Sequence, residues 1–166
     1  GEETAAAALD SLPAAVGEGT ITASPEFYAY TPEWGLLDEN NVRIRQELVS
    51  SGESLLKKLR GEKRENLKRF IAMFRFELLL GEVDRAMMPA FILKKKEVQG
   101  EKINGSQEYM DAYWLLVSAP VKEMFDTYME RVHSRGELGV LSSLNQRVWR
   151  EYNDLKIYLE NKIKEK

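Results

Sequence analysis

Arg75 and Glu77 are the residues most able to do chemistry in this chain. They sit inside the apolar run FIAMFRFELLLG, where few other groups are polar. A carboxylate in dry surroundings is held towards its neutral form and can serve as a general base. Tyr113 would add a hydroxyl, so Glu77, Arg75 and Tyr113 form the candidate catalytic group. Two residues apart on a helix, Arg75 and Glu77 point in different directions and cannot pair with each other. Each would need a partner from elsewhere, and Arg147 and the Tyr113 hydroxyl are groups of the right kind. The competing reading is a structural ion pair, since an unmatched buried charge is very costly. The residue types favour that structural reading.

Other chemistries are excluded by composition. With no cysteine, the chain can form no disulfide, thiolate nucleophile or Cys-ligated metal site. Its one histidine, His133, has no ExxH or HExxH spacing around it, so no metal and no cofactor is expected. In His133-Ser134-Arg135-Gly136 it reads as a cation at a helix C-terminus, where the dipole favours one. Lys94, Lys95 and Lys96 make a short basic patch that reads as a solvated loop able to touch phosphate or an acidic surface. Asn104-Gly105-Ser106 matches a glycosylation sequon, but the same residues serve as a turn followed by an N-cap. No Gly-rich phosphate loop, serine elbow or dinucleotide fingerprint is present.

The strongest recognition feature is aromatic. Phe27, Tyr28, Tyr30 and Trp34 fall within eight residues, and Pro25 and Pro32 keep the chain around them extended. Rings of this size dominate interface hot spots, so these four are the candidate partner-binding residues. The alternative, which monomer surfaces favour, is that the arm packs over the chain's own helices.

The 24 basic and 27 acidic residues are interspersed, for a net charge of −3. Nonspecific nucleic-acid binding needs an excess of cations, so the whole-chain balance gives no strong nucleic-acid signal, although a local basic patch stays open. At 166 residues the chain can bury roughly 70% of its unfolded surface and needs no staple. The longest uncharged stretch, Ala112 to Val121, is about half of what a membrane-crossing helix requires. A start at Gly1 reads as a processed or trimmed product.

The elements that must position these residues are helical. Residues 1–20 read as an acidic, alanine-rich tail, and residues 21–166 as a single helical domain with the extended aromatic arm 21–37 packed on it. A first helix starts at Asp38 or Asn40 and carries the stripe Ile44, Leu48, Gly52, Leu55, Leu59, with Gly61 ending it. Gly52 on that stripe implies close approach of a neighbouring backbone; the competing reading is a break at Ser50-Ser51-Gly52 that gives two short helices. A second helix, Glu62 to Met88, is apolar nearly all round, which places it centrally, and it should stop before Pro89. Residues 89–105 fit a small β-hairpin or a loop. A third helix, from Ser106 to Gly136, should kink at Pro120. A fourth, from Glu137 onwards, carries Leu141, Leu144, Val148, Tyr152, Leu155, Leu159 and Ile163. The fold expected is all-α, a bundle of about four main helices.

Poverty of reactive groups and richness in aromatics point to a non-catalytic interaction or assembly subunit with a protein partner, soluble and intracellular. The alternatives are a small-molecule or lipid-binding bundle, with a cavity lined by Met73, Phe74, Tyr113 and Met124, and a carboxylate-based enzyme.

Overall fold

The structure, a computed structural model, describes residues 32–165 except Trp34 and Asn104. It is an all-α bundle, with no strand among the described residues. The helices are α1 (Glu39–Leu56), α2 (Gly61–Val98), α3 (Gln107–Val117), α4 (Val121–Arg131), α5 (Arg135–Leu144) and α6 (Arg150–Lys164). A single π-helical turn, Asn145–Trp149, joins α5 to α6 without a break in the helix.

α1 begins where the Asp38 carboxylate accepts the Asn41 backbone N–H at 2.7 Å. That bond satisfies one of the free donors of the first turn. It also holds the Asp38 carboxyl below its ordinary value. α1 runs unbroken through Gly52, which is buried. A Cβ there would lie 2.8 Å from the Ile71 side chain of α2. The close approach is therefore to a side chain, not to a backbone as the spacing implied.

α2 is the central element and packs against α1, α3, α4 and α6. Its 38 residues span about 57 Å at the α-helical rise. Phe76, Leu80, Val83, Met87, Ala90 and Leu93 are buried at spacings of three or four, which is one side of a helix. Against them pack Tyr109, Ala112 and Leu116 of α3, Met124 and Tyr128 of α4, and Leu155 and Leu159 of α6. The Phe76 and Tyr128 rings meet edge to face at 5.1 Å.

The expected stop before Pro89 does not occur. Proline inside a helix costs about 3 kcal/mol through a lost donor and a clash with the preceding turn. Beyond it, however, Ala90 and Leu93 are buried in the main core and Phe91 packs on its edge. Lys95 and Lys96 in the last turn also complement the dipole. Packing outweighs propensity here, and residues 90–98 continue the helix instead of forming a β-hairpin.

The third predicted helix is two. At Ser118-Ala119-Pro120 the backbone leaves the helix, and α4 restarts after Pro120. The fourth is continuous, as its stripe implied: Leu144, Val148, Leu155 and Leu159 are buried, while Leu141, Tyr152 and Ile163 pack on the core. α5 opens with a reciprocal cap in which Ser134 Oγ accepts the Glu137 N–H and Glu137 accepts the Ser134 N–H.

Candidate functional sites

The three candidate catalytic residues do not converge. Glu77 is 7% exposed and accepts from Nε of Arg45 on α1, itself 1% exposed. The same guanidinium donates through Nη1 to Asn41 Oδ1 at 2.9 Å. Its Nη2 is buried without a hydrogen-bond partner among the described residues. Arg75 lies on the exposed side of α2 and pairs with Glu53 of α1. The Tyr113 hydroxyl donates to Glu160 Oε1 of α6 at 3.3 Å. The cation on Glu77 is thus Arg45, in place of the Arg147 or Tyr113 that the residue types offered. Bonded to a fixed cation at the α1–α2 contact, Glu77 has the arrangement of a structural pin.

Just above it, Asp84 is fully buried and its carboxylate accepts the Gly35 N–H at 2.5 Å. A Cβ on Gly81 would stand 2.8 Å from the Gly35 carbonyl oxygen, so glycine is what lets that backbone lie on α2. Asp84 and Gly81 together pin the segment that leads into α1. Phe27, Tyr28, Tyr30 and Trp34 lie outside the described residues.

A second polar cluster closes the far end of α2. Glu97 accepts from the Tyr109 hydroxyl and from Lys162 Nζ at 3.1 Å. Burial alone would raise the Glu97 carboxyl, but these donors outweigh it and hold the group below its ordinary value. Burial, then the neighbouring Glu97, pushes the Tyr109 hydroxyl up to about 12. Burial also drives the Tyr158 hydroxyl upwards; it is enclosed beside them with no partner in hydrogen-bond geometry among the described residues. The Glu97 contacts with Tyr109 and Lys162 tie α2, α3 and α6 together.

Lys94, Lys95 and Lys96 are on the last turns of α2, not on a loop. Lys94 reaches Glu151 of α6 at 3.8 Å, which leaves Lys95 and Lys96 as the exposed part of the patch. His133 is exposed between α4 and α5, and its backbone N–H donates to Glu137 at 2.7 Å. Among the described residues, no group of three or more His, Asp or Glu side chains is placed to hold a metal ion. No helix among them is long and apolar enough to cross a membrane. The four residues expected to line an internal cavity are spread out. Phe74 and Met124 are buried, Met73 lines a surface groove beside Arg131, and Tyr113 faces α6.

Two surface features stand out among the described residues. One is an apolar groove of about 540 Å³ between the second half of α2 and α3. Its floor and walls include Leu36, Met88, Pro89, Ile92 and Leu115, with Arg85 and Lys96 on the α2 side and Glu108 and Asp111 on the α3 side. Ile92 is 43% and Leu115 49% exposed. Pro89, expected to end α2, instead lies in this groove.

The other is the end of the bundle where α1 turns into α2. Residues 57–69 carry seven cations (Lys57, Lys58, Arg60, Lys63, Arg64, Lys68, Arg69) against two carboxylates (Glu62, Glu65). Two grooves open beside this run, of about 330 and 470 Å³, and Arg69 and His133 line both. The pattern of the sequence places several of these cations in the first turns of a helix but does not mark them as a surface. The signal lies in the local charge, and the net charge of the whole chain averages it away. Compared with known proteins, the chain matches no family model, no curated protein and no solved structure.

Proposed function

We propose that this chain is a non-catalytic helical interaction subunit that docks a segment of another protein. The observation that carries this reading is the α2–α3 groove, where Leu36, Ile92 and Leu115 leave apolar surface in water. Each such side chain is already about half covered and gains roughly 1 kcal/mol when fully covered, so an occupant is favoured. The occupant that fits is a protein segment with a short apolar row flanked by both charge signs. Its acids would meet Arg85 and Lys96, and its bases Glu108 and Asp111. The dispersal of Glu77, Arg75 and Tyr113 to three unrelated partners also favours a non-catalytic role. A cysteine-free composition suits a reducing intracellular compartment.

The test replaces Ile92 and Leu115, one at a time, with a photo-crosslinking phenylalanine in the full chain, irradiated in native extract. One protein crosslinked at both positions in stoichiometric yield, and lost when Ile92→Asp is added to the Leu115 probe, is the expected result. Crosslinks that run only to residues 1–31 of the same chain would overturn the reading, because the groove would then be covered internally.

A further inference from the structure

The basic end of the bundle offers a second surface, distinct from the α2–α3 groove. We propose that it binds single-stranded RNA, with phosphates along the α1–α2 turn and a base against Phe70.

Three observations converge. First, the cations come from separate parts of the chain and meet at one end of the fold. Lys58 and Arg60 sit in the α1–α2 turn, Lys68 and Arg69 on the first turns of α2, and Arg131 at the end of α4, across the groove from Arg69. Second, Lys58 and Arg60 are exposed and make no ion pair among the described residues, so their charge is available to a ligand. Third, Phe70 is 44% exposed and lines the groove between Arg69 and Arg131. A ring flanked by cations is the arrangement that stacks a base while neighbouring phosphates are neutralised.

The carboxylates in the area do not cancel this field. Glu65 is shared between Arg64 and Lys68, each at 3.4 Å. Glu137 is taken up by the backbone and hydroxyl of the α5 cap, which holds its carboxyl low. Glu62 and Glu130 remain, against a clear local excess of cations. RNA is favoured over two other polyanions on geometry. Phe70 lies within a groove and cannot reach into a bilayer as a protruding ring would. The acidic side chains of a peptide supply charge for the lysines but no aromatic face for the ring, whereas every nucleotide supplies both. The overall charge of −3 predicts weak, salt-sensitive binding and does not forbid it.

The experiment is fluorescence anisotropy of the full chain with a labelled oligouridine of about twelve nucleotides, titrated across salt concentrations. Four phosphate contacts would give a slope of log K on log salt of about −3. The Lys58→Glu/Arg60→Glu protein should lose at least about tenfold in affinity and flatten that slope by more than about one. Phe70→Ala should lose about fivefold or more with the slope unchanged, since stacking is not an ionic contact. Lys95→Glu, at the opposite end of α2 and outside the apolar groove, should bind as the parent does. Circular dichroism confirms that each variant is folded. The proposal is overturned if the parent protein fails to bind at low salt, or if reversal at 58 and 60 changes nothing. It is equally overturned if anionic phosphatidylserine vesicles or polyglutamate bind as tightly as oligouridine, with the same response to Phe70→Ala.

Discussion

Glu77 and Glu97 are both acids of α2 held away from water, and they are satisfied in opposite ways. Glu77 rests on one deeply buried partner, Arg45, in the α1 contact. Glu97 has a spread of donors, Tyr109 and Lys162, at the rim where the pair is about a quarter exposed. The first is a single point of failure in a dry place. The second shares its charge among partners and solvent. The contrast teaches that the same residue type on the same helix can be brittle or forgiving, according to burial and the number of partners.

The largest expected effect breaks the first site. Arg45→Met leaves the Glu77 carboxylate buried without its cation, and should destabilise the protein by about 3–5 kcal/mol in urea unfolding. Arg45→Met/Glu77→Leu sharpens the point. Removing both charges and leaving an apolar contact should recover most of that loss, with the double variant close to the parent. A double variant as unstable as the single one would mean that the pair itself, and not the orphaned acid, holds α1 to α2.

Next comes the second site. Tyr109→Phe removes one donor from Glu97, while Lys162 and solvent remain. A loss of about 1.5–3 kcal/mol is expected, the worth of one hydrogen bond to a charged group. A loss as large as that of Arg45→Met would erase the distinction between the two acids.

Burial and partners also decide how much of the molecule is legible in its sequence. The stripes that bury one side of a helix are readable, because period 3.6 is local: Leu144 to Ile163 packs as the spacing implies. Breaks are less so. Pro89 and Pro120 carry the same local signal, yet α2 passes through the first and the chain breaks at the second. At Pro89 the deciding factor is tertiary. Ala90 and Leu93 have a core to enter, which no window of sequence around Pro89 reveals. The candidate acid is legible as a type, a carboxylate in an apolar run, but its partner lies 32 residues away. Only the packing of α1 on α2 selects Arg45 over Arg147. The basic end is written plainly in residues 57–69, and only its meeting with Arg131 and the exposed ring of Phe70 requires the fold.

The narrowest effect is confined to the alkaline range, and Tyr109 of the forgiving site contributes to it. Tyr109 has its hydroxyl pushed up to about 12 in the folded protein, against an ordinary value of 10.0. Between those two values the unfolded chain has released that proton and the folded chain still holds it. The unfolded state therefore binds fewer protons, and stability must fall as pH rises through this window. Below about pH 10 the contribution is fully present and the curve is flat with respect to this group. Tyr109→Phe has no proton to lose there, so its stability should decline less steeply than the parent's above that pH. Arg45→Met keeps Tyr109 and should retain the parent's slope. Parallel urea titrations at several alkaline pH values decide it. If Tyr109→Phe and the parent decline together, the Tyr109–Glu97 contact contributes nothing to the pH dependence, and the slope belongs to other groups.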